Sequence, residues 1–269
     1  MEFSVDTFAS VNLQYLHEPY ASLLNGIIFG VKLKTAKELY IDLKRAGLLH
    51  IVVLSGMNLS LLSALISRFT LFFGRKFSSL ITIISIIFFI LFVGPEAPIV
   101  RAGIMAVLTH VAIIYGYKTY SIYILFLSGL FSLIFKPEWI RSISFQLSYL
   151  ATLGLILFSK GYKVERKFWS KVKRTIKIEL RTSLSAQVFT APLIFLYFKQ
   201  VSLVSPLANL LVAPVIAPLM VFGILSSFLG KLNFYLGLPL SWLSFGLLHY
   251  IVRITEILAD IPFGFIEFQ

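Results

Sequence analysis

The sequence predicts an all-α polytopic membrane protein with about eight transmembrane or re-entrant helices, several of them broken by Gly or Pro. Three observations predict it. The chain is 58% hydrophobic and only 13% charged, where a soluble domain is nearer half apolar and a quarter charged. Apolar stretches approaching the ~20 residues that cross a bilayer follow one another along nearly its whole length. Cysteine is absent, which removes disulfide frameworks and thiolate metal sites. The first 25 residues, MEFSVDTFASVNLQYLHEPYASLLN, have no basic start and no long apolar run, so they do not read as a signal peptide.

Taken in order, the spans fall near 48–67, 77–94, 98–116, 120–135, 143–159, 183–198, 203–229 and 235–259. The fourth, fifth and sixth are short, which suits tilted, re-entrant or protein-buried segments. Ahead of them, residues 1–47 read as a short external segment. It includes TAKELYIDLKRAGLLH, an amphipathic helix for the membrane interface. Residues 263–269 read as an external tail.

The loops set the orientation. Arg68, Arg75, Lys76, Lys118, Lys231 and nine basic residues between Lys160 and Arg181 fall on one face, with only Glu165 and Glu179 against them. Lys and Arg in short loops mark the cytoplasmic side, so both termini are expected outside. The five basic residues from Lys32 to Arg45 run against this assignment, unless their segment lies flat at the interface. The loop at 160–182 includes Lys163, Arg166, Lys167, Lys171, Lys173, Arg174, Lys177 and Arg181, with Phe168, Trp169, Val172, Ile176 and Leu180 at helical spacing. It reads as a basic helix on the anionic inner leaflet, or as a patch receiving a nucleic acid or docking a motor.

Polar residues inside spans carry the functional signal. Arg101 sits about three residues into the third span, where a charge costs on the order of 2.5–3.5 kcal/mol at the bilayer centre. It either snorkels or pairs with Glu96, or it faces an anionic path. Arg253 is read as pairing with Glu256. Within HIVVLSGMNLSLLS, Ser55 and Gly56 predict an interruption of the first span, with His50 and Asn58 beside it. Irregular backbone in a membrane survives where it is buried in protein or lines a water-filled cavity. Broken helices mark transport sites, and small residues also serve close helix packing. Gln146 and Ser148 stand inside the fifth span. Ser205, Pro206, Asn209, Pro214 and Pro218 stand in the seventh, and its three prolines predict a bent or broken helix. No HExxH, GxxxxGK[ST] or GxSxG motif is present, so no cofactor, metal or enzymatic activity is expected. His110, amid LTHVAI, reads as a packed residue.

Four segments in order resemble the ComEC family of competence proteins. They are AGLLHIVVLSGMNLSLL, APIVRAGIMAVL, SISFQLSYLATLGLILF and VSLVSPLANLLVAPVIAPLM. The resemblance implies a competence-type transmembrane domain over 48–262, in the cytoplasmic (inner) membrane of a bacterium. It would carry single-stranded DNA inward during natural transformation. The implied path residues are His50, Ser55, Gly56, Asn58, Arg101, Gln146, Ser205, Pro206 and Asn209. Besides DNA and membrane lipids, it leaves room for a separate nuclease, a DNA receptor, a cytoplasmic ATP-driven motor and a second copy as partners. Asn58 stands where the family's SGxH signature has histidine, so a hydrogen-bonding role fits there and a titrating one does not. The stretch before Leu48 is too short for the family's external OB-like domain, and no HxHxDH nuclease motif is present. The chain therefore reads as a membrane core alone. A small-molecule or ion transporter and a non-transporting assembly scaffold are the rival readings. The first would want inverted repeats and more intramembrane carboxylates. The second would tolerate apolar residues at Asn58 and Arg101.

Overall fold

The computed structural model describes residues 4–31, 37–52, 55–158 and 168–267, and for 168–175 the backbone alone. The helices are α1 (Val5–Tyr15), α2 (Tyr20–Phe29), α3 (Lys37–Ala46), α4 (Leu49–Val52), α5 (Gly56–Thr70) and α6 (Arg75–Val93). They continue with α7 (Ala97–Tyr115), α8 (Ser121–Phe135), α9 (Ile143–Phe158), α10 (Phe168–Phe198), α11 (Ser205–Leu232) and α12 (Phe234–Ala259). Two short strands, β1 (Gln200–Ser202) and β2 (Phe265–Glu267), pair antiparallel with Val201 opposite Ile266.

Helices occupy all eight expected spans, and among the described residues five are long and apolar enough to cross a membrane. These are α5 with the 3-10 turn Leu71–Phe73 that extends it, α6, α7, α11 and α12. α2, α8 and α9 are apolar but shorter. The first span is interrupted where Ser55 and Gly56 predicted. α4 is a single turn carrying His50, Ser55 is extended (φ −118°, ψ 166°), and α5 starts at Gly56. The expected break in the seventh span does not occur, because α11 runs through Pro214 and Pro218 as one helix. Pro206 lies in its first turn, where an N–H has no intrahelical partner to lose. From residue 168 the basic segment is helical, and α10 carries it directly into the sixth span.

The chain clusters into two compact units. Unit 1 comprises residues 1–54, 161–184 and 191–269. Its core is α2 against α11 and α12, with Leu23, Leu24, Ile27 and Ile28 of α2, Val212, Ile216 and Met220 of α11, and Leu248 of α12 fully buried. The sequence reading assigned no helix to α1 and α2, since neither is long enough to read as a span. A polar knot ties them to α11. Asn12 donates to Asn25 Oδ1 (2.8 Å), Asn25 to the Ala9 carbonyl (3.1 Å), and Ser227 to Asn12 Oδ1 (3.0 Å). Every polar side chain in the knot is buried, so each of these bonds avoids a desolvation penalty of about 1–3 kcal/mol. α3, the expected interfacial helix, packs on α12 and buries Leu39, Leu43 and Ala46. The expected C-terminal tail is partly ordered by β2, whose Glu267 pairs with Lys44 at 3.3 Å.

Unit 2 comprises residues 55–160 and 185–190. α5, α6 and α7 pack mutually, and α8 and α9 pack on α7 and on each other. Its interior is more polar than unit 1's, with Asn58, Ser63, Ser78, Ser79, Thr82, Arg101, His110, Ser128 and Ser132 all buried.

Candidate functional site

Unit 2 holds the arginine singled out from sequence. Arg101 occupies the second turn of α7 and is only 7% exposed. Burying a guanidinium without hydrogen bonds is prohibitive, and α9 supplies them. Ser148 and Thr152, one turn apart on the same face of α9, accept from Nε at 2.8 Å and from Nη1 at 2.9 Å. The Met105 sulfur, one turn along α7, lies 3.1 Å from Nη1. Tyr149 offers its ring face, with Cζ 5.6 Å from the centroid. All these partners are neutral.

The pairing with Glu96 weighed from sequence is not formed; Glu96 is exposed at the start of α7. Among the described residues the ion pairs are Lys44–Glu267 and Arg253–Glu256. The second was foreseen, and its Arg253 side chain is 65% exposed. Arg101 therefore presents a desolvated positive charge with no carboxylate to cancel it.

The broken segment meets this arginine. A Cβ on Gly56 would stand 2.8 Å from Arg101 Nη2 and 3.0 Å from the Ala102 Cβ, so only glycine lets the first turn of α5 come this near. The α5 N-terminus adds partial positive charge. Ser55 Oγ is buried beside it with no hydrogen-bond partner among the described residues. Asn58 is fully buried. It lies two residues from Gly56 on a helix and so on a different face. Gln146 donates to the Ile140 carbonyl just ahead of α9 at 2.9 Å and is not among Arg101's partners. Tyr149, Thr152 and Met105 were missed in the sequence. Their signal was the i, i+4 spacing of Ser148 with Thr152 and of Arg101 with Met105.

Unit 1 gathers a second set. Asn209 of α11 donates to Ser183 of α10 (3.0 Å) and to Ser205 (3.5 Å). The His50 ring on α4 lies near the Gly47 backbone and the Asn209 side chain. Ser205 donates to the Gly47 carbonyl (3.4 Å) and Ser202 to the Arg45 carbonyl (2.7 Å). Gly47 has φ +73°, and a side chain there would collide with Ser205. His50, Ser205 and Asn209 thus form one cluster, while Pro206 starts α11 and contributes no donor to it.

Of the basic patch, Lys163, Arg166 and Lys167 lie outside the described residues. Lys171, Lys173 and Arg174 are placed on α10 by backbone only. Lys177 is exposed and Arg181 half-buried on the same helix. Among the described residues no three His, Asp or Glu side chains stand close enough to share a metal ion.

These features define a helical membrane protein with a buried cation held by neutral side chains. The chain matches the competence protein family over residues 27–269 and belongs to it. It is 32% identical over 185 residues to an uncharacterized protein of Aquifex aeolicus (strain VF5), which covers 67% of this chain and 41% of that protein. It is 24% identical over 233 residues to ComE operon protein 3 of Bacillus subtilis (strain 168), covering 82% of this chain and 29% of the relative. The chain thus spans less than half the length of these curated relatives. No solved structure matches it. It is a membrane protein of the competence family.

Proposed function

We propose that the protein is a permease of the bacterial cytoplasmic membrane that conducts single-stranded DNA inward, with both termini outside and the basic half of α10 in the cytoplasm. The observation that carries the reading is Arg101, buried among Ser148, Thr152, Tyr149 and Met105 with no acid paired to it. An arginine in a membrane core ordinarily pairs with a carboxylate or with backbone carbonyls, or faces a water-filled path. One held by hydroxyls and a ring keeps its charge for an anion. A single such charge attracts phosphates without trapping them, as conduction requires. The aromatic face of Tyr149 beside it suits a nucleobase. The chain works on this reading as a conduit, not an enzyme. A nuclease, a receptor, a motor or a second copy would be partners that deliver, pull or complete the strand's route.

The test is passage of labelled single-stranded DNA into liposomes holding the purified protein, with an anionic dye as control. Wild type should admit the strand and exclude the dye. Arg101→Leu should lower passage at least tenfold, with the protein still inserted and helical. Arg101→Lys should recover it only in part, since a point charge cannot hold Ser148 and Thr152 together. Equal passage by wild type and Arg101→Leu would refute the reading.

A further inference from the structure

Unit 2 contains a polar groove that the buried arginine does not explain. Along α5, Gly56, Ser60, Ser63, Ser67 and Thr70 recur at alternating steps of four and three, which puts them on one helical face. The stripe is about 21 Å long at 1.5 Å per residue, roughly two-thirds of a hydrocarbon core of about 30 Å. Ser60, Ser63 and Ser67 face Thr109 and His110 of α7 across an open cavity of about 250 Å³. That is room for a string of waters with polar partners. His110 is buried on its wall and bridges two helices, with Nε2 3.3 Å from Ser63 Oγ and Nδ1 3.2 Å from Ser79 Oγ of α6. Past it, Thr70 and Ser78 lie 2.9 Å apart.

The charges at the two ends have the same sign. Arg101 abuts Gly56 at one end. Arg68, Arg75 and Lys76 surround the turn beyond Thr70 at the other. Unit 2's two carboxylates, Glu96 and Glu138, sit in the connections before α7 and α9. A groove of hydroxyls with cations at both mouths and no carboxylate within favours an anion over a cation. Ser60 and Thr109 donate to carbonyls of their own helices, at Gly56 and Met105 (each 2.8 Å). A dry stripe of this kind would close against a neighbouring helix. Here Ser60 and Ala64 remain exposed and the space between α5 and α7 is open.

We propose that this stripe, with Thr109 and His110, is a water-filled groove along which phosphodiester groups pass between Arg101 and the Arg75 turn. The cargo rests on the permease reading; the wetness of the groove rests on its own geometry. The chain has no cysteine, so each introduced thiol is unique. Single variants Ser60→Cys, Ser63→Cys and Ser67→Cys, and the opposite-face controls Leu61→Cys and Leu65→Cys, are treated in proteoliposomes with the impermeant anion 2-sulfonatoethyl methanethiosulfonate. Only variants that match the wild type in chromatography and helicity are compared. The stripe should react at least tenfold faster than the controls, and a single-stranded oligonucleotide should slow it severalfold where a duplex does not. Equal rates on the two faces would overturn the groove, even if strand passage persists. A fast stripe indifferent to single strands would overturn the assigned cargo while leaving the groove wet.

Discussion

Arg101 and Gly56 work as a pair at the scale of single residues. The glycine is required by the arginine's position, not by backbone torsion, since its missing Cβ is the space Nη2 occupies. Gly56→Ala should therefore displace the guanidinium from Ser148 or Thr152. The overpacking should destabilise the protein by about 1–3 kcal/mol, read as a lower thermal midpoint, and strand passage should fall severalfold. Wild-type values on both counts would contradict the contact. Asp42 on α3 gives a pH-dependent prediction away from the spans. Burial raises its carboxyl above the usual range, Arg45 lowers it in part, and Asp260, Glu256 and Glu38 raise it further. The folded protein thus holds the Asp42 proton more tightly than the unfolded chain, so ionisation opposes folding, and stability falls as pH rises through the ordinary carboxylate range. Asp42→Asn should raise the thermal midpoint at pH 7 and leave it unchanged in acid. A midpoint at pH 7 equal to or below the wild type's would exclude that account.

Among the elements, what the sequence reveals depends on length and periodicity. The apolar runs that became α6–α9, α11 and α12 are continuous, so hydropathy places them within a few residues, whereas α10 starts well before its apolar half, inside the basic segment. The break before α5 is legible because Ser55 and Gly56 interrupt an apolar run with groups that bond backbone or free it. The helices α1 and α2 are hidden for the opposite reason. Their stability comes from burial on α11 and α12, which no local pattern carries, and from Asn12, Asn25 and Ser227, which are far apart in sequence. Asn12→Ala would leave Asn25 and Ser227 without their buried partner. It should cost about 1–3 kcal/mol, seen as loss of thermal stability with membrane insertion intact; a neutral result would mean water replaces the amide. The prolines of α11 predicted a bend or a break, and the break is absent because proline's penalty depends on position. Pro206 sits where the helix begins, and the helix carries Pro214 and Pro218 without ending. Of the candidate site, Arg101 was legible because a charge stands out in an apolar span. Thr152 and Tyr149 were not, since hydroxyls and rings are common in such helices and only the α7–α9 packing gives them a role.

For the whole molecule, a competence-family chain divides its polar chemistry between two units. Unit 1 pairs polar groups with one another, in the Asn12–Asn25–Ser227 knot and the Asn209–Ser183–Ser205 cluster. Unit 2 leaves a cation with no acid paired to it among the described residues, and a hydroxyl-lined cavity between α5 and α7. On the permease reading, an anionic strand would be drawn to the second kind of interior rather than the first. The central claim is that the strand touches α9 at Arg101's partners. It is tested most directly by threading a 5-iodouracil-bearing single strand into proteoliposomes, arresting it with a bulky block at its trailing end, and irradiating. The account predicts a covalent adduct on the α9 peptide at Tyr149 that disappears in Tyr149→Leu. Adducts confined to the basic half of α10, with α9 unmodified in a strand shown to be threaded, would contradict it.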